Sequence, residues 1–481
     1  MKRINRGAPV LALGVAAIVG GVNVAHAASN DELESRINRL EQMLRQTQSE
    51  LQQSREAQMQ QQNVGVREQR ADFVGDSAQE LVGDQAPTDQ ANTQQAQASP
   101  SPTTPDGAFR LTDNTTLKIG GYVKFDASYS TYNGGQTSDT DREFYLPSRV
   151  PVGNLNGPDS AGTDFNARQS RFNLTSITTM GDHKVKGFIE ADFYGEKGSE
   201  TTSNASELRL RHAFIELDDT WLLGQTWSNF MDLQVFPETL DFFTSAESVG
   251  YSRQPQIRYT HGNWSLALEN PETQFNVDAG TSTTAPGTSV TDEEKYPELT
   301  GDYSLPTSFG HLSLGGLVRR VSNDGVDLTP GVDTEDDSTL GYGVRLSGSV
   351  NLGGSGDEIG FSGIYGDGIG RYVGLGITPA GYVRADGKVE TTKVYAGYAY
   401  LKHYWSEKWR SNLLVGTQQV DNDEAAGPLA TKNASSVHLN LLWNPLTPVT
   451  LGGEYAYAKR NVENGLDGNM NRFQLSAKYA F

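Results

Sequence analysis

Lys124, Arg171, Arg209, Arg211, Arg258, Arg319 and Arg345 share one property: each lies where apolar and polar residues alternate, and each takes the polar parity. Arg472, near the C-terminus, does the same. Residues two apart on a strand share a face, so these side chains stand on one surface of the sheet they belong to. A guanidinium stays charged at any physiological pH, and its planar donors match a carboxylate or phosphate in pairs. The same parity carries Asp126, Glu190, Asp192, Glu269, Glu358 and Glu454. The face therefore reads either as a self-neutralising lining for water or as a path for anions.

A second set of acids, Asp232, Glu238 and Asp241, falls in the stretch from Ser228 to Phe243, which also holds Phe230, Phe236, Phe242 and Phe243. Such a segment is too apolar to project into water, and a long connection without its own structure usually serves a function. Folded inward, it would bury its Phe and Leu side chains, narrow a channel, and set the three acids opposite the arginines across a transverse field.

Catalysis finds no support. His183, His212, His261, His311, His403 and His438 belong to no nucleophile-elbow or zinc-binding pattern, and there is no cysteine for a thiolate nucleophile, metal ligand or disulfide. The acidic run at 322–338 lacks calcium-loop spacing and reads as a solvated rim. No catalytic residue, metal or cofactor is expected. A formal net charge of −20 also argues against nucleic acid as a partner.

The elements that must position these residues follow from periodicity. Residues 1–27 have a basic start, an apolar run from Ala8 to Val24 and Ala25-His26-Ala27, the layout of a secretory signal peptide. In 28–62, Leu33, Ile37, Leu40, Leu44 and Leu51 keep heptad spacing, with Arg36 and Glu41 flanking the seam, which predicts an α-helical coiled-coil extension. Residues 63–110 form a Gln/Pro-rich linker. From 111 to 481 the period becomes two. Leu117, Ile119, Gly121, Val123, Phe125, Ala127 and Tyr129 alternate with Lys118, Gly120, Tyr122, Lys124, Asp126 and Ser128, and sixteen such segments can be marked, among them 167–179, 255–261 and 390–402. Their connections alternate long and short, as the two rims of an outer-membrane barrel require. The last strand, with Phe473, Leu475, Ala477, Tyr479 and Phe481 on one face, is apolar outward and ends on an aromatic residue. The fold expected is all-β: a sixteen-stranded antiparallel transmembrane β-barrel with an N-terminal coiled coil.

Several segments resemble the DcaP-like outer-membrane porins: Arg168-Gln169-Ser170-Arg171-Phe172, Arg209-Leu210-Arg211-His212-Ala213-Phe214, Gly224-Gln225-Thr226-Trp227-Ser228-Asn229-Phe230-Met231-Asp232, Pro237-Glu238-Thr239-Leu240-Asp241-Phe242 and Gly368-Ile369-Gly370-Arg371-Tyr372. The resemblance implies a homotrimer of sixteen-stranded channels with coiled-coil extensions in the periplasm, taking up small anionic solutes such as dicarboxylates. Its surroundings would be outer-membrane lipid and lipopolysaccharide, with the cell wall as a partner for the extension. Two alternatives stand beside it. One is a phosphate-selective porin, disfavoured by the lack of a dense run of lumen arginines. The other is a structural anchor linking outer membrane and cell wall through the coiled coil.

Overall fold

The structure, a computed structural model, describes residues 107–138, 142–198, 203–277, 288–290, 294–323, 337–353, 356–384 and 388–481. The signal peptide, the coiled coil, all but the last four linker residues and most of the acidic run at 322–338 lie outside these residues.

Alternation gives each strand one apolar and one polar face, and the strands close on themselves so that no edge is left unpaired. Among the described residues there are sixteen barrel strands. They are β1 (Thr115–Asn133), β2 (in two pieces, Ser160–Asn166 and Arg171–Met180), β3 (His183–Asp192), β4 (Arg209–Leu217), β5 (Trp221–Trp227), β6 (Arg253–His261), β7 (Trp264–Glu269), β8 (Glu298–Thr307), β9 (Gly310–Ser322), β10 (Ser338–Asn351), β11 (Glu358–Asp367), β12 (Lys393–Ser406), β13 (Trp409–Asp421), β14 (Thr431–Leu446), β15 (Val449–Val462) and β16 (Asp467–Ala480). Each pairs antiparallel with its neighbours in sequence, and β16 returns to β1 from Tyr122↔Ala480 to Asn133↔Asn469. Below that junction Ala108–Thr112 pairs with the foot of β1, so the linker's last residues already belong to the sheet.

The outer face is apolar and exposed, as at Ile119, Val123, Phe125 and Tyr129 on β1 and Phe473 and Leu475 on β16. Trp221, Trp264, Phe309, Trp405, Trp409, Trp443, Tyr479 and Phe481 are exposed beside the short turns or the C-terminus, forming an aromatic belt at that rim. The turn at Asp218-Asp219 has positive φ at both residues (54° and 52°), the twist that suits a two-residue hairpin.

The strand expected at 167–179 in fact begins at Ser160 and breaks at 167–170. Ser170 fills the gap, its Oγ accepting from the Lys124 N–H at 2.9 Å and donating to the Lys124 carbonyl at 3.2 Å, so the ladder loses no partner there. The backbones come close beside the break. At Gly121 (φ 142°) a Cβ would lie 2.3 Å from the Arg171 carbonyl oxygen, and at Gly224 (φ 135°) 2.3 Å from that of Ala213. Only glycine fits at either point.

Three long connections fold inward. The one at 228–252 does so as expected, burying Phe230, Val235, Phe236 and Leu240. The other two carry no such signal in the sequence: 134–159 buries Tyr145 and Val150, and 368–392 buries Ile369, Tyr372 and Val373. The last joins a small sheet in which Phe275 pairs in parallel with Gly381, over a cluster of Phe275, Val321, Ala380, Val383 and Val389.

Candidate functional site

The inward loop at 228–252 starts where β5 ends and is anchored at successive points around the opposite wall. Asp232 caps a short turn by accepting from the Gln234 N–H at 3.1 Å, and its other carboxylate oxygen meets His311 Nε2 on β9 at 2.9 Å and Arg345 on β10 at 3.3 Å. Burial works against the Asp232 charge, but the His311 bond and the Arg345 guanidinium outweigh it and hold the carboxyl below the usual aspartate range. The Val235 carbonyl accepts from Tyr398 on β12 at 3.0 Å. Glu238 accepts two bonds from Arg410 on β13, at 2.9 and 2.5 Å. Asp241 pairs with Arg472 on β16 at 2.7 Å and accepts the Tyr145 N–H from the first loop at 2.8 Å. Between them the Leu240 N–H donates to Glu454 on β15 at 2.7 Å.

Asp232, Glu238 and Asp241 are thus matched one by one with wall cations. Opposite charges a few ångströms apart cancel at distance, so the three acids act as anchors of the loop more than as sources of a transverse field.

The loop leans mainly on β9–β16 and leaves a space against β1–β5 and the adjoining β14–β16. That cavity, about 780 Å³ including its open mouth, is lined by Tyr122, Lys124, Arg171, Arg211, Trp227 and Lys478 on one side and Phe236–Phe242 on the other. Its arginines sit on adjacent strands. Arg171 of β2 pairs across to Asp192 of β3, and Asp192 to Arg209 of β4. Arg209 binds Asp192 with two donors at 3.0 and 2.7 Å, Arg211 meets Glu190 at 2.6 Å and Asp192 at 3.0 Å, and Arg171 reaches Glu190 at 3.4 Å. Aromatic faces support them: Arg171 lies 4.7 Å from the Tyr122 ring centre, Arg209 5.4 Å from Tyr194, and Arg211 5.8 Å from Trp227. Lys124 reaches Asp126 at 3.2 Å and the Leu240 carbonyl of the loop at 2.8 Å.

Of the seven basic residues read from the sequence, Lys124, Arg171 and Arg211 line this cavity, with Arg209 in the same charge network. The other three lie elsewhere. Arg345 anchors the loop through Asp232 and also binds Asp302. Arg319 is buried against Glu298 at 2.8 Å beneath the third inward loop. Arg258 donates to the Trp227 carbonyl at 2.6 Å. Two further arginines of the site escape the sequence reading. Arg410 has the inward parity of Asn412 and Leu414, a signal that could have found it. Arg253 gives none, because alternation lapses where β5 meets the loop: Thr226 and Trp227 are both buried.

No curated protein matches the chain. Among solved structures, the outer membrane channel DcaP of Acinetobacter baumannii aligns with a TM-score of 0.62 at 23% identity, covering 78% of this chain and all of that one (100%). OmpT of Vibrio cholerae aligns at 0.44 with 11% identity over 77% of this chain and 99% of its own. An anion-selective porin from Comamonas acidovorans aligns at 0.44 with 12% identity, over 76% and 100%. The profile of the DcaP outer membrane protein family matches residues 88–481, a span that takes in the whole barrel. The chain belongs to the DcaP outer membrane protein family: it is a β-barrel channel of the outer membrane, not an enzyme.

Proposed function

We propose that this channel passes small anionic solutes, dicarboxylates first among them. The observation that carries the reading is the charge balance of the wall facing the inward loop. Arg171, Arg209 and Arg211 pair there with Glu190 and Asp192, Arg253 stands beside them and Lys124 and Lys478 line the cavity, so among the described residues the wall keeps a positive excess beside the cavity. A wet lumen screens charge over about 8–10 Å at ordinary ionic strength. A carboxylate squeezed between loop and wall passes within that distance. A dianion gains two such contacts and is held longer than a monoanion. Most of the lumen arginines are paired with carboxylates, which favours this reading over a phosphate-specific one.

In planar bilayers under a salt gradient, the reversal potential is expected on the anion side, and succinate is expected to reduce the chloride current more strongly than acetate. A cation-side potential would refute the reading. A silent protein would instead favour the anchor, with the barrel holding the N-terminal extension to the outer membrane.

The same proposal takes the assembly as a homotrimer in outer-membrane lipid and lipopolysaccharide, with residues 28–62 as a periplasmic coiled coil that can reach the cell wall. Barrel walls offer far more packing area than five apolar heptad layers. Deleting residues 28–106, which spares the Ala108–Thr112 pairing, is therefore expected to leave trimers in detergent by mass measurement. Monomers would assign trimerisation to the coiled coil.

A further inference from the structure

Arg253 differs from the arginines around it. It opens β6, directly across the ladder from Trp227, and its guanidinium carbon lies 4.7 Å from the Trp227 ring centre. Trp227 is buried in the cluster that joins the inward loop to the far wall, with Val235, Phe236, Tyr251, Tyr398 and Leu414. Trp227 lines the cavity, so the guanidinium is held beside the lumen against a ring that cannot neutralise it. Arg171, Arg209 and Arg211 each bind Glu190 or Asp192. Among the described residues the Arg253 side chain makes no hydrogen bond and no ion pair, and its Nη1 is buried without a partner.

A buried donor left unsatisfied is costly, and a native protein tolerates one mainly where something else supplies the acceptor. A cation–π contact uses the face of the guanidinium and leaves its edge, where the N–H groups point, open to a planar oxyanion.

We propose that Arg253 is the selectivity-determining residue of the channel, the guanidinium that receives a carboxylate of the passing solute while Arg171, Arg209 and Arg211 hold the wall together and supply its background field. This rests on the anionic reading above and goes one step further, to the residue. Trp227 is then a positioning residue, fixing the plane of the guanidinium.

The test compares the parent with Arg253→Gln and Arg253→Lys in planar bilayers, reading the reversal potential and the succinate concentration that halves the chloride current. Because Arg253 has no carboxylate partner, Arg253→Gln strands no buried anion, and it is expected to fold with the parent's heat-modified gel shift. Its half-blocking concentration is expected to rise about tenfold or more, the loss of one charge-assisted contact. Arg253→Lys is expected to keep the reversal potential, because the charge remains, yet to lose most of the block, because the paired donors are gone. That split between charge and geometry is what a merely structural role would not produce. If Arg253→Gln does not fold, the Arg253→Lys comparison decides alone: block equal to the parent overturns the proposal. An anion-selective parent whose Arg253→Gln form is selective and blocked as before also overturns it and leaves the anionic reading standing. A parent without anion preference removes both.

Discussion

Replacing Arg209 and Arg211 together by Gln is expected to remove most of the channel's anion preference, to lower succinate block by an order of magnitude or more, and to destabilise the barrel measurably. The wall has four guanidinium groups against Glu190 and Asp192, and the variant leaves Arg171 and Arg253 against the same two carboxylates. The guanidinium excess that would draw anions is gone, and besides guanidinium groups the cavity keeps only Lys478 and the Asp126-paired Lys124 among its described cations. Stability suffers for a separate reason: Asp192 is fully buried and takes its ion pairs from these two arginines. A buried charge stripped of its partner costs about 3–5 kcal/mol, visible as a lower temperature for loss of the folded gel band. Replacing the pair by Lys keeps the charge, so the reversal potential should survive while block weakens, since ammonium groups cannot bind Asp192 or a solute with paired donors. Parent-like selectivity in a folded double Gln variant would move the anion path to another wall.

Much of this architecture is legible in the amino-acid sequence. A strand with one face in lipid and one in water must alternate, and the alternation is strict where both faces are pure, as in β1, β10 and β16. All sixteen strands therefore show in the pattern, mostly to within a few residues. The inward course of 228–252 shows for a related reason, since its phenylalanines have no place in water. What parity cannot give is a partner. It places Arg472 inward but does not say that Asp241, 231 positions earlier, will meet it, nor that Glu238 will meet Arg410 across 172 positions. Those contacts depend on where a loop lands on a wall built from distant strands. Parity also fails where the backbone leaves ideal strand geometry. The break at 167–170 and the lapse at Trp227 hide the true start of β2 and the role of Arg253. The loops at 134–159 and 368–392 are polar and glycine-rich enough to pass for rim loops, and only their tertiary contacts draw Tyr145 and Tyr372 inside.

The ion pair between Asp241 and Arg472 offers the sharpest test of how the inward loop is held. Both side chains are almost fully buried, and the pair joins the loop to β16 at 2.7 Å. Asp241→Asn leaves Arg472 charged beside a neutral amide, while Arg472→Gln leaves Asp241 charged with only N–H donors nearby. Either change is expected to loosen the loop, because breaking one side of a buried pair costs about 3–5 kcal/mol. At 1.4 kcal/mol per tenfold, that raises the population of the detached loop by about 10² to 4 × 10³. The single-channel record should show larger and noisier openings, with weaker selectivity as solutes bypass the wall. Removing both charges is different. In a variant that combines Asp241→Asn with Arg472→Gln, the two introduced amides can hydrogen-bond to each other as neutral groups. Glu238 with Arg410 and Glu454 with the Leu240 N–H still fasten the neighbouring residues. The double variant is therefore expected to conduct and melt closer to the parent than either single variant does, a coupling that additive effects cannot mimic. Single variants whose effects simply sum in the double would mean that the pair is not a latch, and that Glu238 and Glu454 hold the loop without it.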